Sequence, residues 1–273
     1  MDVSAKSLTS KKEGARPWDA PAEALITTAD GVGLHAAYAP PQAPLRPSAD
    51  SLVIVLAHGF SGAVERPAVR RVVTRLTRRA GVVSFSFRGH GRSRGRSTVG
   101  DLEVLDVQAA VEWARSLGYR RVVTLGFSMG GAVVLRHAAL YPGVAAVAAV
   151  SAPARWYYRG TVPMRRLHWV VMRPLGRVVG RVGLRTRIDP HEWRTVPLPP
   201  VDAAARLASL DIPLLVVHGD RDAYFPLDHP RSLYQAAGPD HCELWIEPGF
   251  GHAENSATDD LVERVGEWLT GVR

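Results

Sequence analysis

The chain has 273 residues and a formal net charge of +8. A hydrophobic content of 46% and a charged content of 22% exclude a disordered or fibrous protein, and the length allows one α/β domain with an insertion or two small domains. The single cysteine, Cys242, excludes an internal disulfide framework and favours a reducing, cytoplasmic setting. It opens an apolar strand-like run, so we expect a buried structural thiol.

We expect neither a signal peptide nor a transmembrane start at the N-terminal end. Residues 1–20 contain four charged side chains between Lys6 and Glu13 and no apolar run of seven residues. We expect a disordered tail there. The positive charge is mostly arginine, which favours a basic soluble surface, and no nucleic-acid partner is expected.

Strand and helix patterns then alternate along the chain. Two short apolar runs around Asp30-Gly31 predict a hairpin within residues 24–40, and the proline-rich residues 40–50 read as a connector. The elements predicted after it are a strand at 51–60, a helix at 65–80, a strand at 81–87, a helix at 101–117, a strand at 121–126, a helix from about 130 stopped by Pro142, strands at 144–150, 213–220 and 242–249, and a closing helix at 258–271. Repeated βα units predict a mainly parallel sheet with helices on both faces.

Residues 153–206 interrupt this alternation. They contain 11 arginines against three acidic residues and have no strand pattern, which indicates a helical insertion between core segments 21–152 and 207–273. Within it, residues 164–187 predict a basic amphipathic helix, bent or broken near Pro174. Its charged positions, four residues apart, are Arg173, Arg177, Arg181 and Arg185.

A serine between two glycines stands at one predicted strand-to-helix junction, in Gly126-Phe127-Ser128-Met129-Gly130. A serine hydroxyl becomes an effective nucleophile only beside a base, and that base needs an acid to orient it. Ligands of α/β sheets bind at the carboxyl ends of the strands, where three further groups are expected. These are the glycine-rich residues 58–62, the acids Asp220 and Asp222, and His252.

The order Ser, Asp, His on post-strand loops resembles that of the α/β-hydrolases. The resemblance covers about residues 24–271 and rests on the segments HGFSG, FRGHGRS, GFSMGG, HGDRDAYFP and GFGHAE. It implies that Ser128 is the nucleophile, Asp222 the acid and His252 the base, with the N–H groups of Phe60 and Met129 as the oxyanion hole. Asp220 stays open as an alternative acid.

Other residues of these segments are expected to stabilise loops and not to take part in catalysis. We expect His58 to be a structural histidine of its loop, and Arg88, His90 and Arg92 to brace theirs. Many relatives carry Asp two residues before the first arginine of FRGHGRS, where this chain has Ser86. This departure leaves the identity of the substrate open and does not affect the assignment of the triad.

The resemblance implies a serine hydrolase that cleaves a carboxylic ester or thioester through an acyl-enzyme. The triad leaves open an acyltransferase, a C–C bond hydrolase or a catalytically silent binding protein. No metal-ligand spacing and no Walker-type loop occurs, so neither metal nor cofactor is expected.

The insertion resembles the lid of that family. We expect its apolar stripe to form a wall over Ser128, which favours a hydrophobic acyl group. The stripe consists of Leu167, Val171, Leu175, Val178 and Val182. For the arginines, a solvated face is the favoured interpretation, and the alternatives are an acidic group of the substrate and an anionic membrane surface.

Overall fold

The structure, a computed structural model, describes residues 22–42 and 51–272. The tail predicted over residues 1–20 lies outside the described residues. The strands are β1 Ala22–Thr27, β2 Gly33–Ala39, β3 Leu52–Ala57, β4 Gly81–Phe85, β5 Arg121–Phe127, β6 Val147–Val150, β7 Leu214–Gly219 and β8 Cys242–Glu247. The helices are α1 Pro67–Leu76, α2 Glu103–Ser116, α3 Met129–Leu140, α4 Val162–Met172, α5 Pro174–Gly183, α6 Pro200–Ser209, α7 Asp228–Ala237, α8 Ala253–Ser256 and α9 Asp259–Gly271.

The eight strands form one sheet in the order β1-β2-β4-β3-β5-β6-β7-β8. The hairpin predicted around Asp30-Gly31 joins β1 to β2, and β2 is antiparallel to both of its neighbours. All pairs from β4 to β8 are parallel. The predicted mainly parallel sheet is therefore confirmed, with its antiparallel part at one edge.

Helices cover both faces of the sheet, which explains the continuous apolar runs of the central strands. One face packs with side chains of α2, α3, α6 and α7, such as Val107, Leu135 and Leu233. The other face packs with α1 and α9, such as Leu76 and Leu269. The carboxyl ends of the parallel strands consequently share one edge, and the loops that leave this edge hold the candidate site.

The sequence patterns missed two elements and misplaced some boundaries. Helices α7 and α8 were not predicted, since α7 is rich in polar residues and α8 has only four residues. Strand β6 begins at Val147 and not at 144. The predicted insertion ends at residue 206, inside α6, whose Ala203 and Leu207 lie in the core, so the layer of helices resumes at Pro200.

The basic segment folds as the helix pair α4 and α5. The predicted break near Pro174 is present: Arg173 is extended, with φ −102° and ψ 140°, and Pro174 opens α5. After α5 the chain returns along the FRGHGRS loop, where the Arg187 N–H donates to the Gly89 carbonyl and the Ser97 N–H donates to the Arg187 carbonyl. Before α4, the Thr161 hydroxyl donates to the Tyr224 carbonyl at 2.9 Å, so the helix pair is attached to the core at both of its ends.

Buried histidines make the stability of this fold depend on pH. Burial lowers the pKa of His58 and His137 to about 3 and that of His229 to about 4. In the unfolded chain such groups titrate near pH 6.5, so below that pH the unfolded state binds more protons than the folded state. Their contribution to stability is complete above about pH 6.5 and decreases as the pH falls toward 4.

His137 gives a direct test, because it lies away from the candidate site, where its Nε2 meets Gln108 Oε1 at 2.9 Å. We expect His137→Gln to be less stable than the parent at pH 7.5. The difference should then shrink by about 1.4 kcal/mol per pH unit as the pH falls from about 6 to 4. Urea unfolding of both proteins across this range measures it, and a difference that does not change with pH would contradict the assignment.

Candidate active site

Ser128 lies at the sharp turn between β5 and α3. Its backbone has φ 50° and ψ −115°, so Ser128 itself, and not a flanking glycine, adopts the strained conformation. The flanking glycines serve close packing. A Cβ on Gly126 would lie 2.3 Å from the Gly130 carbonyl oxygen, and one on Gly130 would lie 2.5 Å from the carbonyl oxygens of Ala57 and His58. The turn is thereby pressed against the end of β3.

The structure brings Ser128, His252 and Asp222 into one hydrogen-bonded row. His252 Nε2 lies 2.9 Å from Ser128 Oγ, and His252 Nδ1 lies 2.7 Å from Asp222 Oδ2. The three residues leave β5, β7 and β8 at the carboxyl edge of the sheet, although up to 124 positions separate them along the chain. This is the arrangement in which a base activates a hydroxyl and an acid orients the base.

The environment of Asp222 keeps its carboxylate ionised. Burial alone would raise its pKa, but the hydrogen bond from His252, the charge of that histidine and the Phe225 N–H together hold the pKa below its usual value. Asp222 Oδ1 also accepts from the Tyr224 N–H at 2.8 Å. Because an ionised carboxylate only accepts, His252 Nδ1 carries the proton and Nε2 presents its lone pair to Ser128.

Asp220, the alternative acid, points elsewhere. Its Oδ1 accepts from the Gly249 N–H at 2.7 Å, and its own N–H donates to the Glu247 carbonyl. It therefore ties the ends of β7 and β8 together, while Asp222 contacts His252.

The residues predicted for an oxyanion hole flank Ser128. Phe60 and Met129 line the same cavity as Ser128. Among the described residues, none accepts a hydrogen bond from the N–H of Phe60 or of Met129. Met129 begins α3, where the helix dipole favours negative charge. Both N–H groups are thus available to an incoming oxygen atom.

His58 is a structural histidine, as the sequence indicated. Its Nε2 accepts from the Phe87 N–H at 3.1 Å, so its Nδ1 carries the proton and donates to the Gly59 carbonyl at 2.7 Å. Both ring nitrogens are occupied, and His58 is buried. Since C=O and N–H of one trans peptide point in opposite directions, this bond also fixes the direction of the Phe60 N–H.

Arg88 braces the FRGHGRS loop, as predicted. Arg88 is buried and forms ion pairs with Asp30 and Asp106, both at 2.7 Å. Ser86, at the position where many relatives carry Asp, accepts from the Val64 N–H at 3.0 Å. This bond holds the end of the 58–64 loop, so the departure from the family pattern has a structural use here.

A cavity of about 480 Å³ lies over Ser128. Its wall is largely aromatic and aliphatic and includes Trp156, Leu167, Val171 and Trp193. Trp156 Nε1 donates to the Leu198 carbonyl and Trp193 Nε1 donates to the Thr98 carbonyl, so both indoles have their polar atom satisfied by the backbone. The two rings meet edge to face at 5.9 Å.

The predicted apolar stripe divides between two surfaces, so the prediction that all of it faces Ser128 is wrong. Leu167 and Val171 of α4 line the cavity. Leu175, Val178 and Val182 of α5 point away and are 66%, 56% and 76% exposed. The cause is that α5 packs on α4 through Gly176, where a Cβ would lie 2.2 Å from the Trp169 carbonyl oxygen, and this leaves its aliphatic side outward.

Sequence reasoning missed the aromatic neighbours of His252. The Tyr224 ring stacks on the imidazole at 4.2 Å with an interplanar angle of 25°, and the Phe225 ring lies 5.7 Å away. These residues lie two and three positions after Asp222 in the chain, and this proximity was the available indication. Stacking limits the rotation of the imidazole about its side-chain bonds.

The single cysteine has the surroundings of a structural thiol. Cys242 is buried, and burial raises the pKa of its thiol to about 12, as expected of a structural cysteine. Within residues 22–42 and 51–272, no group of three or more His, Cys, Asp or Glu side chains is placed to hold a metal ion.

Comparisons with known proteins agree with this architecture. The family model described as the alpha/beta hydrolase fold matches residues 53–167. A monoacylglycerol lipase of Mycolicibacterium smegmatis is 28% identical over 259 residues, covering 80% of this chain and 87% of the lipase.

Solved structures share the fold. An esterase of Pyrococcus furiosus superposes with a TM-score of 0.69 at 23% identity, covering 92% of both chains. Est1E of Butyrivibrio proteoclasticus with ferulic acid bound superposes with a TM-score of 0.60 at 21% identity, covering 90% of this chain and 96% of that one.

The helices of the described residues are all too short or too polar to cross a membrane. The sheet order, the turn at Ser128 and the family match over residues 53–167 agree with one another. On these grounds the chain has the α/β-hydrolase fold.

Proposed function

We propose that the chain is a serine hydrolase that cleaves a carboxylic ester or thioester with a hydrophobic acyl group. The row from Ser128 Oγ through His252 to Asp222 beneath an apolar cavity carries this proposal. The name of the M. smegmatis relative, a monoacylglycerol lipase, and the esterases among the solved structures support ester cleavage.

In the first half of the reaction, His252 Nε2 takes the Ser128 proton as the hydroxyl oxygen attacks the acyl carbon. The N–H groups of Phe60 and Met129 stabilise the negative oxygen that forms, and Asp222 stabilises the imidazolium. His252 then protonates the leaving alkoxide or thiolate, which departs and leaves an acyl-enzyme on Ser128.

In the second half, His252 takes a proton from water, and the resulting hydroxide attacks the acyl-enzyme. Collapse of the second tetrahedral intermediate releases the acid and returns the proton to Ser128. His252 acts as a base in both halves of the reaction, so its Nε2 lone pair must be free when each proton is taken.

The cavity supports the hydrophobic acyl group. Its volume of about 480 Å³ lies within the range of small-molecule sites, and its indoles present carbon surfaces because their N–H groups are already bonded. We place the acyl chain against Leu167 and Val171 and under the helix pair, which thereby acts as the lid.

A fluorophosphonate probe and an ester series test the proposal. The probe should label the wild-type protein, and p-nitrophenyl esters of increasing chain length should be cleaved with kcat/KM rising from acetate to a medium-length acyl group. Acyl-CoA thioesters should be tested in parallel. A folded protein that takes no label and cleaves no ester would be a binding protein with this fold.

We also propose that the outer side of α5 contacts an anionic lipid surface. We call this side the α5 face; it consists of Leu175, Val178, Val179 and Val182, all exposed. The exposed Arg173, Arg181 and Arg185 lie beside it on the same segment. An aliphatic stripe next to arginines is the pattern of helices that lie in the membrane interface. A second copy of the chain fits this surface less well, because pairing two α5 faces would bring the arginines of one copy near those of the other.

The arginines give the measurable prediction for this surface. At about 1 kcal/mol for each arginine near an anionic bilayer, Arg173→Gln with Arg181→Gln should weaken binding to phosphatidylglycerol vesicles about 30-fold. Cleavage of a soluble ester should be unchanged. Co-sedimentation measures the binding.

The matched control is Arg206→Gln with Arg231→Gln, at two exposed arginines of α6 and α7. It lowers the net charge by the same amount as the double variant of the α5 face. Equal loss in both double variants would show a general charge effect. Val178→Gln should weaken vesicle binding too. If the wild type is a dimer in size-exclusion chromatography and Val178→Gln is a monomer, the α5 face joins two copies of the chain instead.

A further inference from the structure

A buried carboxyl group that the proposed mechanism does not use lies directly behind the site. Glu254 is the second residue of α8, two positions after His252, and its side chain is only 5% exposed. Its Oε1 accepts from the Gly59 N–H at 3.1 Å, across 195 positions of the chain. Its Oε2 is buried and has no hydrogen-bond partner among the described residues.

The contact between Glu254 and Gly59 is tight. A Cβ on Gly59 would lie 3.1 Å from Glu254 Oε2 and 3.4 Å from Ser128 Cβ, so the Gly59 α-carbon is enclosed between the carboxyl group and the candidate nucleophile. The other side of the same glycine is held as well, because His58 Nδ1 and the Gly62 N–H both donate to the Gly59 carbonyl.

The segment that carries Glu254 is itself held in place. Ala253 has a positive φ of 56°, which costs a non-glycine residue energy unless its surroundings impose it. Its N–H donates to Ser151 Oγ at 3.1 Å, and Arg71 donates to the carbonyls of Glu254 and Ala257. A side chain fixed at its base in this way can transmit position to the loop it contacts.

We infer that Glu254 is a positioning residue that holds the Gly59–Phe60 turn beside Ser128, so that the Phe60 N–H is fixed where the oxyanion forms. The inference rests on the proposed function. Through one hydrogen bond, Glu254 links the loop that carries the base His252 to the loop that carries the oxyanion donor Phe60. Among the described residues, Glu254 is the one that both hydrogen-bonds to Gly59 or Ser128 and has a buried side-chain atom without a hydrogen-bond partner.

Glutamine is the informative replacement for Glu254. Burial raises the pKa of the Glu254 carboxyl group above its usual value, although its own backbone N–H, the Gly59 N–H and the charge of His252 act in the opposite direction. Glutamine matches the carboxyl group in shape and keeps an oxygen atom that can accept from the Gly59 N–H. The pair Glu254→Gln and Glu254→Leu therefore separates the acceptor from the packing volume.

We expect Glu254→Leu to lower kcat on a p-nitrophenyl ester by about 10- to 100-fold, less than the loss of a whole oxyanion donor. KM should stay within about twofold, because the ground-state ester does not use the donor. Glu254→Gln should keep kcat within about threefold of the wild type. Inhibition by a trifluoromethyl ketone, whose adduct carries an oxyanion, should weaken in the Leu variant by the same factor as kcat/KM.

Thr258→Ala provides the structural control. It removes the hydrogen bond from the Leu261 N–H to the Thr258 hydroxyl, which caps α9 just after the Glu254 segment, and it removes no hydrogen bond of Glu254 or Gly59. We expect it to lower the melting temperature while kcat changes by less than about threefold. If it reproduces the Leu phenotype, or if Glu254→Gln is as impaired as Glu254→Leu while folded, Glu254 has no positioning role.

Hydrogen exchange of the Gly59 amide, followed by NMR in protein labelled with ¹⁵N-glycine, tests the contact without activity. Exchange should accelerate in Glu254→Leu and stay slow in Glu254→Gln, and unchanged exchange in both would overturn the inference. Glu254→Met replaces the Leu variant if that one does not fold. A wild type that cleaves no ester would refute the proposed function, while the exchange result would still decide the role of Glu254.

Discussion

Ser128→Ala should abolish ester hydrolysis, with kcat reduced by about 10⁴-fold or more. The hydroxyl is the only group of Ser128 that the proposed mechanism uses, and His252 Nε2 lies 2.9 Å from it. The variant should fold normally, because alanine keeps the Cβ and faces the same backbone strain at φ 50° as the serine.

The measurement is steady-state hydrolysis of a p-nitrophenyl ester by purified protein, with circular dichroism and thermal unfolding as checks of the fold. Fluorophosphonate labelling should disappear in parallel. Ser84→Ala, a substitution at another buried serine, which lies in β4 and does not line the cavity, serves as the matched control and should retain labelling. More than a tenth of the wild-type turnover in Ser128→Ala would exclude Ser128 as the nucleophile.

Asp222→Asn should reduce kcat by about 10³- to 10⁴-fold, because the amide can donate to His252 Nδ1 and so favours the wrong tautomer. With the proton on Nε2, the imidazole no longer has a lone pair for Ser128. Asp220→Asn should change kcat by less than about tenfold, since Asp220 Oδ1 contacts the Gly249 N–H and an asparagine oxygen can keep that bond.

The two isosteric variants control for each other, because each removes one carboxylate from the same loop. Their kcat values, measured at a pH where the wild type is fully active, decide the assignment. Equal losses would mean that the loop and not the individual carboxylate matters. A larger loss in Asp220→Asn would transfer the role of the acid to Asp220.

The sequence alone determined the architecture and the rim on which the candidate site lies. Apolar runs such as Val53–Leu56 can be stable only between two layers of helices, so they predict a parallel sheet wherever they alternate with helical periods. Side chains that follow such strands must meet at one edge. Ser128, the two acids Asp220 and Asp222, and His252 could therefore be placed on this edge before their contacts were known, and the resemblance to the α/β-hydrolases implied Asp222 as the acid.

Contacts that depend on distant segments were decided only by the tertiary structure. The choice between Asp220 and Asp222 rests on which carboxylate the chain turns toward His252, and two acids two residues apart in one loop carry no periodicity that would show it. The same holds for Glu254, whose partner Gly59 is 195 positions away. A helical pattern likewise identifies an apolar side of α5 without saying what covers it. Because α5 packs on α4 through glycines, that side faces outward.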